Sequence, residues 1–250
     1  MNWSIFLALA CGISVVQGFF LSVLLIGKDK RRFESFFYLG LAILAISLRI
    51  GKSLVYYFWN DMSLWGVALG GAGLWMIGPS VLGYLQSISE EQANKVKFIH
   101  FVPSVLLLFS GLFLGWGEMS FVYGIGTVHL FVYLLFSTYF YTKIEQSKDR
   151  LTTTFLIGTG IIGLAFAFQF IADTLQYYAL GALIAAAILY VITYMVSSDI
   201  QKKKAKPAKF SSIKKEILDN VALSIQRLFI EQQVYKEPKL TLSKLAYKIS

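Results

Sequence analysis

Charge is scarce in this chain. Asp, Glu, Lys and Arg make up 15% of its 250 residues while 56% are hydrophobic, and the mean hydropathy is +0.63. That balance excludes an ordinary soluble domain and implies an integral membrane protein. Cysteine is nearly absent. Cys11 stands alone inside the first apolar run, which excludes an internal disulfide and a cysteine-based metal site. There are two histidines, His100 and His129, and neither has partners at metal-ligand spacing. No glycine-rich phosphate loop and no pair of carboxylates inside an apolar run is present. The expectation is therefore no catalytic residue, no metal, no cofactor and no enzymatic activity.

What the chain has is apolar runs. A bilayer core about 30 Å thick asks for about 20 apolar residues per helix. Seven runs of that kind occur, at 3–27, 36–58, 64–88, 96–115, 121–141, 151–172 and 175–197. The first lacks a basic segment before it and is longer than a signal-peptide core, so it reads as a retained span. The predicted fold is all-α: a seven-helix transmembrane bundle over 1–197, a basic juxtamembrane linker over 198–210, and the first helices of a cytoplasmic domain over 211–250. Pro79, following Gly78 in the third run, removes one backbone hydrogen bond and predicts a kink.

The basic residues are unevenly placed. Ser198 to Ser250 carries twelve Lys or Arg against five acids, +7 of the chain's net +9. Among the short connections, the first, third and fifth hold Lys28, Lys30, Arg31 and Arg32, then Lys95 and Lys97, then Lys143, Lys148 and Arg150. The intervening ones hold Asp61, Glu118 and Asp173 and no Lys or Arg. Basic loops stay cytoplasmic, which predicts an outer N-terminus and a cytoplasmic tail. Trp59, Trp65, Trp116, Tyr123, Tyr177 and Tyr178 then collect at the outer boundary, where interfacial aromatics sit.

Two cations interrupt this pattern. Arg49 and Lys52 lie one turn apart inside the second run, where a charge is costly unless it is paired or faces a cavity. Two readings stand. Either the span ends early and both side chains snorkel outward, toward Asp61 or Asp173, or they line an outward-facing pocket for an anionic or polar small molecule, with His129 and Gln169 as further polar lining. His129 is otherwise a hydrogen-bonded residue between helices, and His100 a polar residue at the start of the fourth span.

After Ser198 the composition changes. Lys202, Lys203, Lys204, Lys206 and Lys209, with Pro207, form a stop-transfer segment suited to anionic lipid, at about 1 kcal/mol per basic residue. Ser211 or Ser212 can cap a helix to about Val234. It has a stripe of Ile213, Ile217, Leu218, Val221, Ile225, Leu228 and Phe229, and a dimer contact there is a further option. Pro238 ends helical geometry near Tyr235. Thr241 can cap a new helix with Leu242, Leu245, Ala246 and Ile249 on one face. Helices shorter than about 12 to 15 residues are marginal alone, so further chain is expected after Ser250.

This order of elements, a long helix followed by Tyr235, Pro238, Leu240, Thr241, Leu242, Leu245 and Ala246, resembles the opening of the AraC-type helix-turn-helix domain. Gly78 and Pro79 with Tyr84, Ser87, His100 and Pro103 look like the multi-span sensor region of membrane-bound regulators of that family. The resemblance implies a one-component transcriptional regulator in a bacterial inner membrane. The helix from Thr241 would be the supporting helix, and the recognition helix would lie beyond Ser250. Lys239, Lys244 and Lys248 become candidates for DNA-phosphate contact, without sequence reading by this chain itself. The competing class is a small multi-span transporter or membrane enzyme whose basic tail docks on lipid. A histidine-kinase sensor is a third reading, weakened because both histidines precede the tail.

Overall fold

A computed structural model describes residues 3–27, 34–59, 63–88, 96, 98–143, 150–172, 175–205 and 215–230. Among them every regular element is a helix. In chain order these are α1 (Trp3–Ile26), α2 (Glu34–Trp59), α3 (Leu64–Ile88), a 3-10 turn at Phe98–Phe101, α4 (Val102–Ser110), α5 (Trp116–Lys143), α6 (Arg150–Ala172), α7 (Leu175–Ala205) and α8 (Lys215–Ile230). The chain divides into two compact units, Met1–Ser198 and Asp199–Ser250.

Among the described residues of the first unit, six helices are long and apolar enough to cross a membrane: α1, α2, α3, α5, α6 and α7. The fourth expected span differs. Phe98–Ser110 is a shorter apolar helical segment. Its α-helical part begins only at Val102, with Pro103 in its first turn, and ends at Gly111. Proline is preorganised for a helix start and has no amide hydrogen to extend one backward. The segment packs along α3, with Ser104 Oγ donating to Ala72 O at 2.6 Å. At its far end Gly111 lies against the Leu64 backbone.

The bundle forms by neighbour packing: α1 on α2, α2 on α3, α3 on both α4 and α5, and α5 on α6. α7 returns to α1, where Gln17 Nε2 donates to Thr193 Oγ1 at 3.1 Å and Tyr190 Oη donates to Ala10 O at 3.3 Å. α3 is the most enclosed helix, and its glycines explain why. A side chain at Gly73 would come within 2.7 Å of Ala45 O, so only glycine lets α2 and α3 approach this closely. α3 also runs unbroken through Pro79.

Large apolar side chains point outward, among them Phe20, Leu24, Leu135 and Ile171, while several Ser and Thr and Gln169 are buried. Apart from Ser14 and Ser137, whose hydroxyls are buried without a partner, buried hydroxyls bond within their own helices, as where Ser47 donates to Ile43 O and Thr159 to Phe155 O, or across helices, as between Tyr84 and Thr152 at 3.2 Å. Cross-helix bonds of this kind contribute about 0.6 kcal/mol each in a membrane. An apolar exterior around a hydrogen-bonded interior suits lipid as the surrounding solvent.

In the second unit α8 buries Leu228 and leaves Ile225 and Phe229 exposed. The basic segment expected as a linker begins as helix, because α7 continues through Lys202, Lys203 and Lys204 to Ala205. Lys206, Pro207, Lys209, Ser211, Ser212, Ile213 and everything from Glu231 onward, including Lys239, Thr241, Lys244 and Lys248, lie outside the described residues. So do Asp61, Asp173 and most residues of the basic connections.

Candidate ligand site

α2 is one continuous helix through both of its cations, so the span does not end early. Nor does either side chain snorkel: Arg49 is 3% exposed and Lys52 9%. Both face inward because α2 is flanked by α1 and α3 and has neighbours on most of its surface.

Arg49 is held by neutral groups. Its Nη1 donates to Ser53 Oγ at 2.9 Å and its Nη2 to Gln169 Oε1 at 3.2 Å. The guanidinium carbon lies 4.7 Å from the Phe166 ring centroid and 5.1 Å from that of Tyr123. Cation-π contacts of this kind contribute about 0.5 to 2 kcal/mol each, more when desolvated. Nε is buried and makes no hydrogen bond. Of the five N–H donors a guanidinium carries, the described residues engage only some.

Lys52 brings its ammonium within 5.0 to 5.2 Å of three rings, Tyr178, Tyr56 and Tyr123. Its aliphatic stem occupies the space a side chain at Gly70 would need, 2.6 to 2.8 Å from where a Cβ would stand. Gly181 makes the same allowance for Gln169. Gln169 is fully buried and donates from Nε2 to Tyr178 O at 3.0 Å, so its orientation is fixed from both ends.

Arg49 and Lys52 form one wall of a cavity of about 210 Å³, closed by Tyr123, Thr127, Phe166 and Tyr178 and by Trp116, Met119 and Ser120 from the start of α5. Among the described residues none of its lining is acidic. At about 30 Å³ per water the space holds about seven waters. Every lining residue belongs to the half of its helix nearest the connections without Lys or Arg. Two buried cations, tyrosine hydroxyls and aromatic faces make a site suited to a small anion with a planar or apolar body.

His129 is not part of this lining. It stacks between Trp75 and Tyr133, with ring centroids 4.6 Å away in each case, and its Nδ1 is buried without a partner. Tyr133 in turn hydrogen-bonds His100. The two histidines thus belong to a second aromatic cluster between α3, the 3-10 turn and α5. Conversely Tyr123, expected at the interface, is 8% exposed and donates to Val67 O at 2.7 Å. Tyr178 and Trp116 also line the cavity. Trp65 and Tyr177 are exposed.

Among the described residues, six helices long and apolar enough to cross a membrane fit a multi-pass membrane protein. Comparison with protein-family models, curated proteins and solved structures finds no match to this chain.

Proposed function

We propose that this chain is the sensor of a membrane-embedded one-component transcriptional regulator. In this reading the protein lies in a bacterial inner membrane with its N-terminus outside, and the segment at 96–115 counts as a seventh crossing. An anionic small molecule enters the cavity at Arg49 and Lys52. The AraC-type domain whose opening residues 211–250 resemble acts on DNA in the cytoplasm. Lys202, Lys203, Lys204, Lys206 and Lys209 rest on anionic lipid, and Lys239, Lys244 and Lys248 contact DNA phosphates.

The observation that carries the reading is Arg49. A guanidinium 3% exposed inside an apolar bundle, bonded to Ser53 and Gln169 rather than to a carboxylate, is expensive to keep in a membrane. An anionic ligand would offset that cost in the state that binds it. By binding one packing of the helices more tightly than another, it shifts the population between them. α7 continues directly into the basic segment, which makes it the natural carrier of that shift.

Formaldehyde cross-linking in cells that express the whole reading frame, with any residues encoded after Ser250, followed by immunoprecipitation, tests the regulator. Recurrent promoter DNA should be recovered, and replacing Lys239, Lys244 and Lys248 together by Gln should remove it. Recovery of DNA without recurrent sites counts against gene control. Anion uptake by vesicles carrying the purified protein would then favour the transporter.

A further inference from the structure

An apolar groove of about 490 Å³ lies on the outward-facing side of α1, α2 and α3. Val16, Phe19 and Phe20 of α1 form one bank, Val55 and Leu69 the other, and all five are exposed. Gly51 forms part of the floor. One residue is common to the groove and to the polar cavity: Lys52. Its stem crosses between them over Gly70, so a buried cation stands where a hydrocarbon surface meets a polar pocket.

We infer that the ligand is a single-chain anionic amphiphile, a carboxylate with an alkyl tail, which reaches Arg49 and Lys52 from the bilayer and leaves its tail between α1, α2 and α3. The inference rests on the reading of the cavity as an anion site and adds the ligand's shape and route. Charge complementarity sets the head: the Arg49 guanidinium in the cavity wall bonds the neutral Ser53 and Gln169, and among the described residues no acid lines the cavity. Size sets the rest. The cavity takes a carboxylate, and the groove's width between α1 and α3 sets the tail. From Lys52 the groove follows α2 back to Ser47, about 8 Å at 1.5 Å per residue, and continues over Val15 to Phe20 of α1, room for one chain. Lipid tails are as apolar as the groove, so what the groove adds for the tail is van der Waals packing against its side chains, while the head distinguishes the ligand from neutral lipid.

The test is equilibrium binding of radiolabelled dodecanoate and hexanoate to the full chain in phosphatidylcholine nanodiscs, corrected with empty discs. Dodecanoate should bind saturably and about tenfold more tightly than hexanoate. A Cβ at Gly51 meets only Val15, at 3.6 and 3.9 Å, so Gly51→Leu fills the groove without displacing backbone. Leu69→Trp narrows it from the other bank and serves if Gly51→Leu does not fold. Each should weaken dodecanoate about tenfold and leave hexanoate unchanged, while Arg49→Gln removes both. Equal binding of the two acids, or dodecanoate binding indifferent to both groove variants, overturns the amphiphile and leaves the anion site standing. Failure of both acids to bind the wild-type protein overturns the two readings together. Loss of dodecanoate binding in phosphatidylglycerol discs assigns the groove to a two-chain lipid and overturns the inference as well.

Discussion

Replacing Gln169 by Leu should destabilise the bundle by about 3 kcal/mol, and removing Arg49 as well should restore most of that loss. Gln169 is fully buried; its Oε1 accepts from Arg49 at 3.2 Å and its Nε2 donates to Tyr178 O at 3.0 Å. Leucine is apolar and of similar size, so little cavity forms. A hydrogen bond to a charged group contributes about 1.5 to 3 kcal/mol, and the second bond lost at the Tyr178 carbonyl about 1 more. In Arg49→Met the reverse holds, since Gln169 Oε1 loses its donor while a buried charge is removed. Ser53 retains the residue-49 carbonyl, to which its hydroxyl donates at 3.2 Å. In the double variant neither charge nor side-chain acceptor remains, and the Tyr178 carbonyl, inside α7, loses only a second hydrogen bond beyond its helical one. Reversible unfolding in mixed micelles of increasing dodecyl sulfate gives all four stabilities. A coupling of about 1 to 3 kcal/mol is expected. Single effects that add in the double variant within about 0.5 kcal/mol would refute the reasoning.

Gly70→Val must displace the Lys52 stem, since its Cβ would stand 2.6 and 2.8 Å from Lys52 carbons. The expected loss is about 1 to 3 kcal/mol in the same unfolding assay, with weaker carboxylate binding. Tyr123→Phe removes the 2.7 Å bond to Val67 O and should lower stability by about 1 kcal/mol, read as a lower thermal midpoint in detergent. Orientation is checked with Asp61→Cys and Asp173→Cys against Lys30→Cys and Lys148→Cys. A membrane-impermeant maleimide applied to spheroplasts should label the first pair and spare the second. Native Cys11 is buried and should contribute little background. Labelling of the basic connections from outside would reverse the topology.

The long helices are legible because lipid demands a length and a composition, and both are written in the chain. Leu64–Ile88 has the same bounds when read from hydropathy and in the structure. The segment at 96–115 shows the limit: it is apolar throughout, yet Pro103 and Gly111 confine the α-helix to Val102–Ser110. Arg49 and Lys52 stand out because a cation in an apolar run needs a reason, and the structure places both in the cavity wall. Their neighbours were harder to read. α5, α6 and α7 are apolar around most of their circumference, so no stripe marks the inward face. Tyr123 and Tyr178 therefore look like interfacial aromatics until packing turns them inward. His129 looks like polar lining, yet Trp75 and Tyr133 enclose it. Of the tail, the structure describes α8 alone after Ala205, so the elements that resemble a DNA-binding domain remain a proposal from their residues.

The most direct measurement uses Trp116, which lines the cavity. Titration of hexanoate into the detergent-solubilised protein should give a saturable change in tryptophan emission that is lost in Trp116→Phe and in Arg49→Gln and partly retained in Arg49→Lys, which keeps the charge. An emission change that persists undiminished in Arg49→Gln, in protein that remains folded, would contradict the claim that these buried cations recognise an anion.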